Sequence, residues 1–331
     1  MRHQATELLT NPRSERVKSI RALARRSIRA NQGQYLAEGP TVVGEALTWR
    51  PESIRHLYVD SEALASGPPN AGTHDSRARD SRAATGDCVG DGAAHVDAPH
   101  SGAAHSATQE RLSSLIDHAR QAGVAVTSVT GAVFAAMSDT RTPAGVLAVC
   151  RRLDVPLDQV LSTRPRLMAV LAHVRDPGNV GTVIRAADAA GADAVIVSDA
   201  SVDVYNPKAV RSTAGSLFHL PLVVGIPVEE ILAALSSAQI RVLATTAQAS
   251  VTTEQVDVSG PHAWLFGNEA WGLPQELQDA CDERVRVPIY GRAESLNLAM
   301  AATVCLYASA RAPRNPRPGG ESAVQGLDLL G

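Results

Sequence analysis

Leu265-Phe266-Gly267-Asn268-Glu269-Ala270-Trp271-Gly272-Leu273-Pro274 is the stretch that decides how this chain folds. An apolar run, His262 to Phe266, ends at Gly267, and a short helical pattern from Pro274 to Ala280 follows. The run reads as a buried strand. A glycine directly behind such a strand allows a sharp turn or a close approach of backbone to ligand. Glu269 is a lone acid between Gly267 and Gly272. In open α/β sheets ligands bind beyond the carboxyl ends of the strands, so this loop is expected to carry chemistry.

Outward from that loop the same alternation recurs. Strands are expected at Leu167–His173, Ala194–Val197, Leu220–Val224, Arg241–Thr245 and Arg284–Val287. Helical patterns lie between them at Val180–Ala190, Pro207–Ser212 and Val228–Ser237, and a longer one, Leu296–Arg311, closes the unit. Strands alternating with helices imply a mostly parallel sheet covered on both faces. Residues 1–152 read as a separate small α/β unit of roughly four strands. Residues 153–165, punctuated by Pro156 and Pro165, are the expected linker to a second domain at 166–312.

Two segments fall outside this pattern. Over 66–107, Gly, Ala, Ser, Asp, His and Arg dominate, too little apolar mass to offset ordering entropy, so a disordered insertion is expected. It carries His74, His95, His100, His105 and Cys88, but their spacing fits no recognised ligand set and no metal is expected. Residues 313–331 are rich in Pro, Gly and Arg and read as a disordered tail.

Aromatics make up 3% of the 331 residues, which argues against single-strand binding built on aromatic stacking platforms. The net charge of −3 gives no global attraction to nucleic acid. The distribution is more informative: between Arg13 and Arg29 lie Arg13, Arg16, Lys18, Arg21, Arg25, Arg26 and Arg29 against the single acid Glu15, and Ser14–Arg29 is expected to be a helix. Such a face can hold phosphates, or can be a merely solvated surface. The four cysteines form no C-x-x-C pair. Neither an apolar leader nor a membrane-length run is evident, and a cytoplasmic protein is expected.

Two further segments carry polar residues that a core does not need. Asp176-Pro177-Gly178-Asn179-Val180-Gly181-Thr182-Val183-Ile184-Arg185 opens the helix after the first strand of the second domain. It lacks the G-x-G-x-x-G of a dinucleotide loop. Pro288-Ile289-Tyr290-Gly291-Arg292-Ala293-Glu294-Ser295-Leu296-Asn297-Leu298-Ala299 precedes the closing helix, where Ser295 is a natural cap. Free amides at that helix start and around Gly267 and Gly291 suit a carboxylate or an adenine edge.

Taken together, the three segments resemble the signature motifs of the SpoU class of SPOUT RNA methyltransferases, also called the TrmH family. Asn179, Gly181 and Arg185 match N-x-G-x-x-x-R. Phe266, Gly267, Glu269, Gly272 and Leu273 match F-G-x-E-x-x-G-L, and Ser295, Leu296 and Asn297 match S-L-N. The resemblance implies a parallel-sheet SPOUT domain with a deep trefoil knot within roughly 241–311, and an N-terminal α/β RNA-binding domain. It implies S-adenosylmethionine as cofactor, a homodimer with the site near the subunit interface, and methylation of a ribose 2′-hydroxyl. Residue by residue it implies catalytic-site roles for Asn179, Arg185, Glu269, Ser295 and Asn297. Thr245, Thr246, Ala247, Phe266, Gly267, Ile289, Leu296 and Leu298 would meet the cofactor. RNA would cross Arg16, Lys18, Arg21, Arg25 and Arg26, with Lys208 and Arg211 as further phosphate contacts.

Guanidinium groups hold their proton to above about pH 12, so an activating role for Arg185 is expected rather than that of a base. The N-terminal domain resembles that of rRNA-modifying members of the family more than of tRNA-modifying ones, which implies 23S rRNA rather than tRNA as the expected substrate. The competing readings are a catalytically silent RNA-binding protein and an NAD-dependent oxidoreductase on a similar sheet.

Overall fold

The computed structural model describes residues 8–66 and 101–311. The expected insertion and tail lie largely outside them, though helix is present from Ser101 onward. The basic segment forms two helices, α1 (Glu15–Ala22) and α2 (Arg26–Gln32), where one was expected. The apolar stripe hid the break. At Leu23–Arg25 the amides turn to carbonyls three residues back, and Arg25 is extended. The Arg29 guanidinium then donates to the freed carbonyls of Leu23 and Ala24 at 2.8 and 2.7 Å. It also pairs with Asp203 at 2.7 Å. Removing one partner from a buried pair of this kind costs about 3–5 kcal/mol, so this arginine holds the basic helices onto the second domain.

Behind α2 come β1 (Gln34–Glu38), α3 (Pro40–Trp49), β2 (Ile54–Asp60), α4 (Ser61–Ser66), α5 (Ser101–Gln121), β3 (Val126–Val129), α6 (Gly131–Met137) and β4 (Val146–Arg151). The sheet order is β1-β4-β2-β3, antiparallel except for the β2/β3 pair. Val17, Ile20 and Phe134 pack on one face, and Val43, Leu47 and Leu112 on the other. Residues 153–165 are more than a tether. They contain α7 (Leu157–Ser162), whose Leu157 and Val160 are buried against the second sheet.

The second domain runs β5 (Leu167–Leu171), α8 (Pro177–Ala189), β6 (Ala194–Ser198), α9 (Pro207–Ser212), β7 (Leu222–Ile226), α10 (Val228–Ser237), β8 (Arg241–Thr245), β9 (Val251–Thr252), β10 (His262–Phe266), α11 (Gln275–Asp279), β11 (Glu283–Arg286) and α12 (Leu298–Arg311). Its sheet order is β7-β6-β5-β10-β8-β11-β9, and every pair is parallel. All five residues of β5, β6 and β10 are buried, as a sheet covered on both faces requires. The β5/β10 junction is where strand order reverses, the place where open sheets leave a crevice.

Helix α12 packs on β10 through a buried polar contact. Ser309 Oγ accepts from Trp264 Nε1 at 2.8 Å and meets His262 Nε2 at 2.7 Å. His262 Nδ1 faces the Gly260 carbonyl at 2.7 Å. A carbonyl only accepts, so Nδ1 carries a proton, and in the neutral ring Nε2 takes the serine proton. Every group in the chain of contacts is then satisfied, which fixes the helix along the strand.

Candidate active site

Four neighbouring strands, β5, β10, β8 and β11, send their following loops to one end of the sheet. The loops enclose a cleft of about 590 Å³. Its lining includes Asn179, Thr245, Thr246, Ala247, Gly267, Glu269, Ile289, Ser295, Leu296, Asn297 and Leu298. The three polar segments, far apart in the chain, therefore meet.

The second motif is a rigid turn. Asn268 and Gly272 exchange both backbone hydrogen bonds, each 2.9 Å long. The Asn268 side chain donates to the His173 carbonyl at 2.7 Å and accepts from Ala270 N at 2.8 Å. Gly267 is required at the base: a Cβ there would lie 2.4 Å from the carbonyl carbon and oxygen of Gly272. Gly272 has φ 71°, the left-handed region that favours glycine.

The turn aims Glu269 at the first motif. Its carboxylate accepts from the backbone amides of Arg175 and Asp176, each at 3.1 Å, and from Asn179 Nδ2 at 3.1 Å. Asn179 Oδ1 in turn accepts from Asn297 Nδ2 at 3.0 Å, and Asn297 Oδ1 accepts from Ala299 N at 2.9 Å. The direction of this relay is forced. An ionised carboxylate only accepts, so Asn179 must offer its amide NH₂, which leaves its oxygen for Asn297. Each asparagine keeps a second N–H free to meet a ligand. Burial pushes the Glu269 carboxyl up, but the bonds from Asn179, Arg175 and Asp176 outweigh it and hold the group below its ordinary value. The Asn179 amide does the same for Asp176, against burial and with help from Lys208.

Asp176 was not among the expected site residues, yet it holds α8 in place. It caps the helix by accepting from Asn179 N at 2.9 Å and binds Lys208 Nζ at 3.1 Å. Asp followed by Pro at the first helical position is a readable cap signature. Asn297, not Ser295, caps α12, because that helix starts at Leu298. Ser295 is left at the cleft wall with an exposed side chain.

Other expected residues lie elsewhere. Phe266 is fully buried behind the cleft and does not line it; its carbonyl accepts from Ala172 N at 2.8 Å. Strand alternation points that ring into the core. Arg185 lies exposed on α8, outside the cleft lining, and its side chain makes no hydrogen bond or ion pair with another described residue. Of the expected RNA contacts, Arg16 is held by Tyr58 at 2.7 Å and His56 at 2.8 Å, and Lys18 pairs with Glu15 at 2.7 Å. Arg26 donates to the Ser201 carbonyl at 3.3 Å, and Arg211 sits 3.7 Å from Asp139. Arg21 and Arg25 stand exposed. Among the described residues no group of three or more His, Cys, Asp or Glu could hold a metal, and no helix is long and apolar enough to cross a membrane.

Comparison with known proteins identifies relatives of both halves of the chain. Residues 166–307 match the model of the SpoU rRNA Methylase family, and residues 14–148 match that of the MRM3-like substrate binding domain. The 23S rRNA (guanosine(2553)-2′-O)-methyltransferase RlmP of Bacillus subtilis is 38% identical over 174 residues, 53% of this chain and 68% of that protein. The 23S rRNA (guanosine-2′-O-)-methyltransferase RlmB of Bordetella pertussis is 32% identical over 62% of this chain and 86% of its own length. The crystal structure of an AdoMet-bound rRNA methyltransferase from Sinorhizobium meliloti superposes with a TM-score of 0.69 at 27% identity, covering 92% of this chain and 97% of that one. With its two halves matched in order and its motifs converging on one cleft, this chain belongs to the SpoU rRNA methylase family.

Proposed function

We propose that this protein transfers the methyl group of S-adenosylmethionine to a ribose 2′-hydroxyl of 23S rRNA. The observation that carries this reading is the Glu269–Asn179–Asn297 relay at the wall of the cleft. The names of the relatives, 23S rRNA 2′-O-methyltransferases, support the substrate. The cleft suits the cofactor. Val287, Ile289 and Leu298 supply apolar walls beside backbone groups at Gly267 and Thr245–Ala247. That mixture fits a flat adenine held by main-chain hydrogen bonds, with the polar rim left for an amino-acid end.

When bound, the cofactor supplies a methyl already activated on a sulfonium, so the protein's task is positioning. The free N–H groups of Asn179 and Asn297 orient the ribose; Glu269 fixes the Asn179 amide, and through it that of Asn297. Ser295, at the same wall, contacts the nucleotide. The 2′-hydroxyl gives up its proton to solvent water as its oxygen takes the methyl, and Arg185, remaining a cation, stabilises the developing alkoxide. That role requires the arginine at a cleft, which a single chain does not provide. We infer a homodimer built on the exposed stripe Met300, Val304 and Tyr307 of α12, beside α8. Closing that face against a second copy would bring Arg185 toward catalytic groups. Strand β10 lies between β5 and β8, and α12 returns to pack on α8 and β10 after β11. This path supports the trefoil knot inferred for the C-terminal part of a domain spanning 166–312. Acting on rRNA, the enzyme would work in the cytoplasm.

The test is a map of 2′-O-methyl marks on rRNA and tRNA from cells with and without the gene. Loss of one mark in 23S rRNA is expected. Loss of a tRNA mark would move the substrate, and unchanged maps would overturn the reading.

A further inference from the structure

Trp271 is out of place for a core residue. It is 57% exposed in a chain with three tryptophans, and it stands at the lip of the cleft, two residues from Glu269. Its mount is stiff, because the Asn268–Gly272 bonds close the turn on both sides of it. The Arg175 guanidinium lies over its ring, 5.9 Å from the centroid. At about 6 Å that is a cation–π contact. The arrangement is not accidental crowding: the Arg175 backbone amide is held by Glu269 Oε2, so one carboxylate fixes both the catalytic asparagine and the segment carrying Arg175.

A singly exposed aromatic is ordinary on a protein surface, and Trp49 is as exposed; what sets Trp271 apart is its place, on a closed turn at the lip of the cleft with a guanidinium over its ring. Resting on the proposed rRNA 2′-O-methylation, we propose that Trp271 with Arg175 forms a stacking platform for the base of the nucleotide being methylated. A ribose whose 2′-hydroxyl faces Asn179 and Asn297 must direct its base away from the relay. The adjoining lip offers one aromatic face and one guanidinium plane, the two surfaces on which unstacked RNA bases rest. Aromatic scarcity elsewhere agrees with a platform for one base rather than a track for many. Stacking tolerates any base, so Trp271 would hold the nucleotide in place without choosing its identity.

The test uses the full-length protein and an rRNA fragment carrying the mapped nucleotide, either intact or abasic at that position. Trp271→Ala should raise the KM for intact RNA roughly ten- to hundredfold while leaving S-adenosylmethionine affinity unchanged. Trp271→Phe should recover most of the loss. For the wild type, the abasic fragment should be the poorer substrate by a similar factor, and Trp271→Ala should not distinguish the two fragments. Arg175→Ala should be milder and non-additive with Trp271→Ala. A wild-type KM in Trp271→Ala would overturn the platform. So would a variant that lost cofactor affinity and kept its KM for RNA, because the ring would then belong to the cofactor. A wild-type protein that methylates no rRNA would instead overturn the functional reading beneath it.

Discussion

Gly267→Ala probes the turn on which the site is built. The added Cβ would lie 2.4 Å from both the carbonyl carbon and oxygen of Gly272, and 2.6 Å from Leu273 N, where ordinary contact begins at 3.4 Å. All three atoms are backbone, so no side chain can swing away. The turn must open by about 1 Å. Overpacking of this size costs about 1–3 kcal/mol. Loss of the paired Asn268–Gly272 hydrogen bonds adds about 1 kcal/mol for each. A destabilisation of roughly 4 kcal/mol follows, which lowers the melting temperature by about 10 °C in a domain of this size. Glu269 moves with the turn, away from Asn179, and a displacement of about 1 Å near reacting groups can reduce turnover around a hundredfold. Thermal melting, calorimetry with S-adenosylhomocysteine and methyl transfer to rRNA would be measured together. Gly260→Ala is the control, since a Cβ there meets nothing within 4 Å. A Gly267→Ala protein that melts and turns over like the wild type would refute the geometry of the turn.

Three other outcomes are expected. Arg185→Ala should fold and bind cofactor as the wild type does but lose transfer by about a hundredfold or more, and unimpaired transfer would remove it from the site. Neutralising Arg21, Arg25 and Arg26 together should weaken RNA binding and flatten its salt dependence by about two units of log–log slope; an unchanged slope would take α1 and α2 off the RNA path. Glu269 should titrate below the 4.5 of an ordinary glutamate, because burial is outweighed by three donors. The native state then binds fewer protons than the unfolded chain. Its contribution to stability is complete above the unfolded value and is lost as the pH falls through the lower folded one. A carboxyl-carbon NMR titration with a midpoint above 4.5 would contradict this.

Much of this architecture was legible because buried parallel strands announce themselves. The apolar runs at Leu167, Ala194 and His262 became β5, β6 and β10 within a residue or two. The glycines of the motifs likewise marked tight places: Gly181 would put a Cβ 2.4 Å from the Ala209 carbonyl, and Gly267 closes its turn. What the sequence hid was long-range. Nothing local says that Arg29 turns inward to Asp203, so the basic helix looked continuous and all its charges looked free. Nothing local says that β10 enters the sheet between β5 and β8, which is why the loops share a cleft. Phe266 belonged to the motif but faced the core, because strand alternation, not motif membership, sets which side a ring occupies. Ser295 was expected to cap the closing helix, and Asn297, two residues on, does so while donating to Asn179.

The most direct test is chemical. Purified protein, S-adenosylmethionine with a labelled methyl group and 23S rRNA transcript should yield one labelled nucleoside, methylated at the ribose 2′ oxygen, and Asn297→Ala should yield almost none. Label on a base atom, or no label with either protein, would contradict the account.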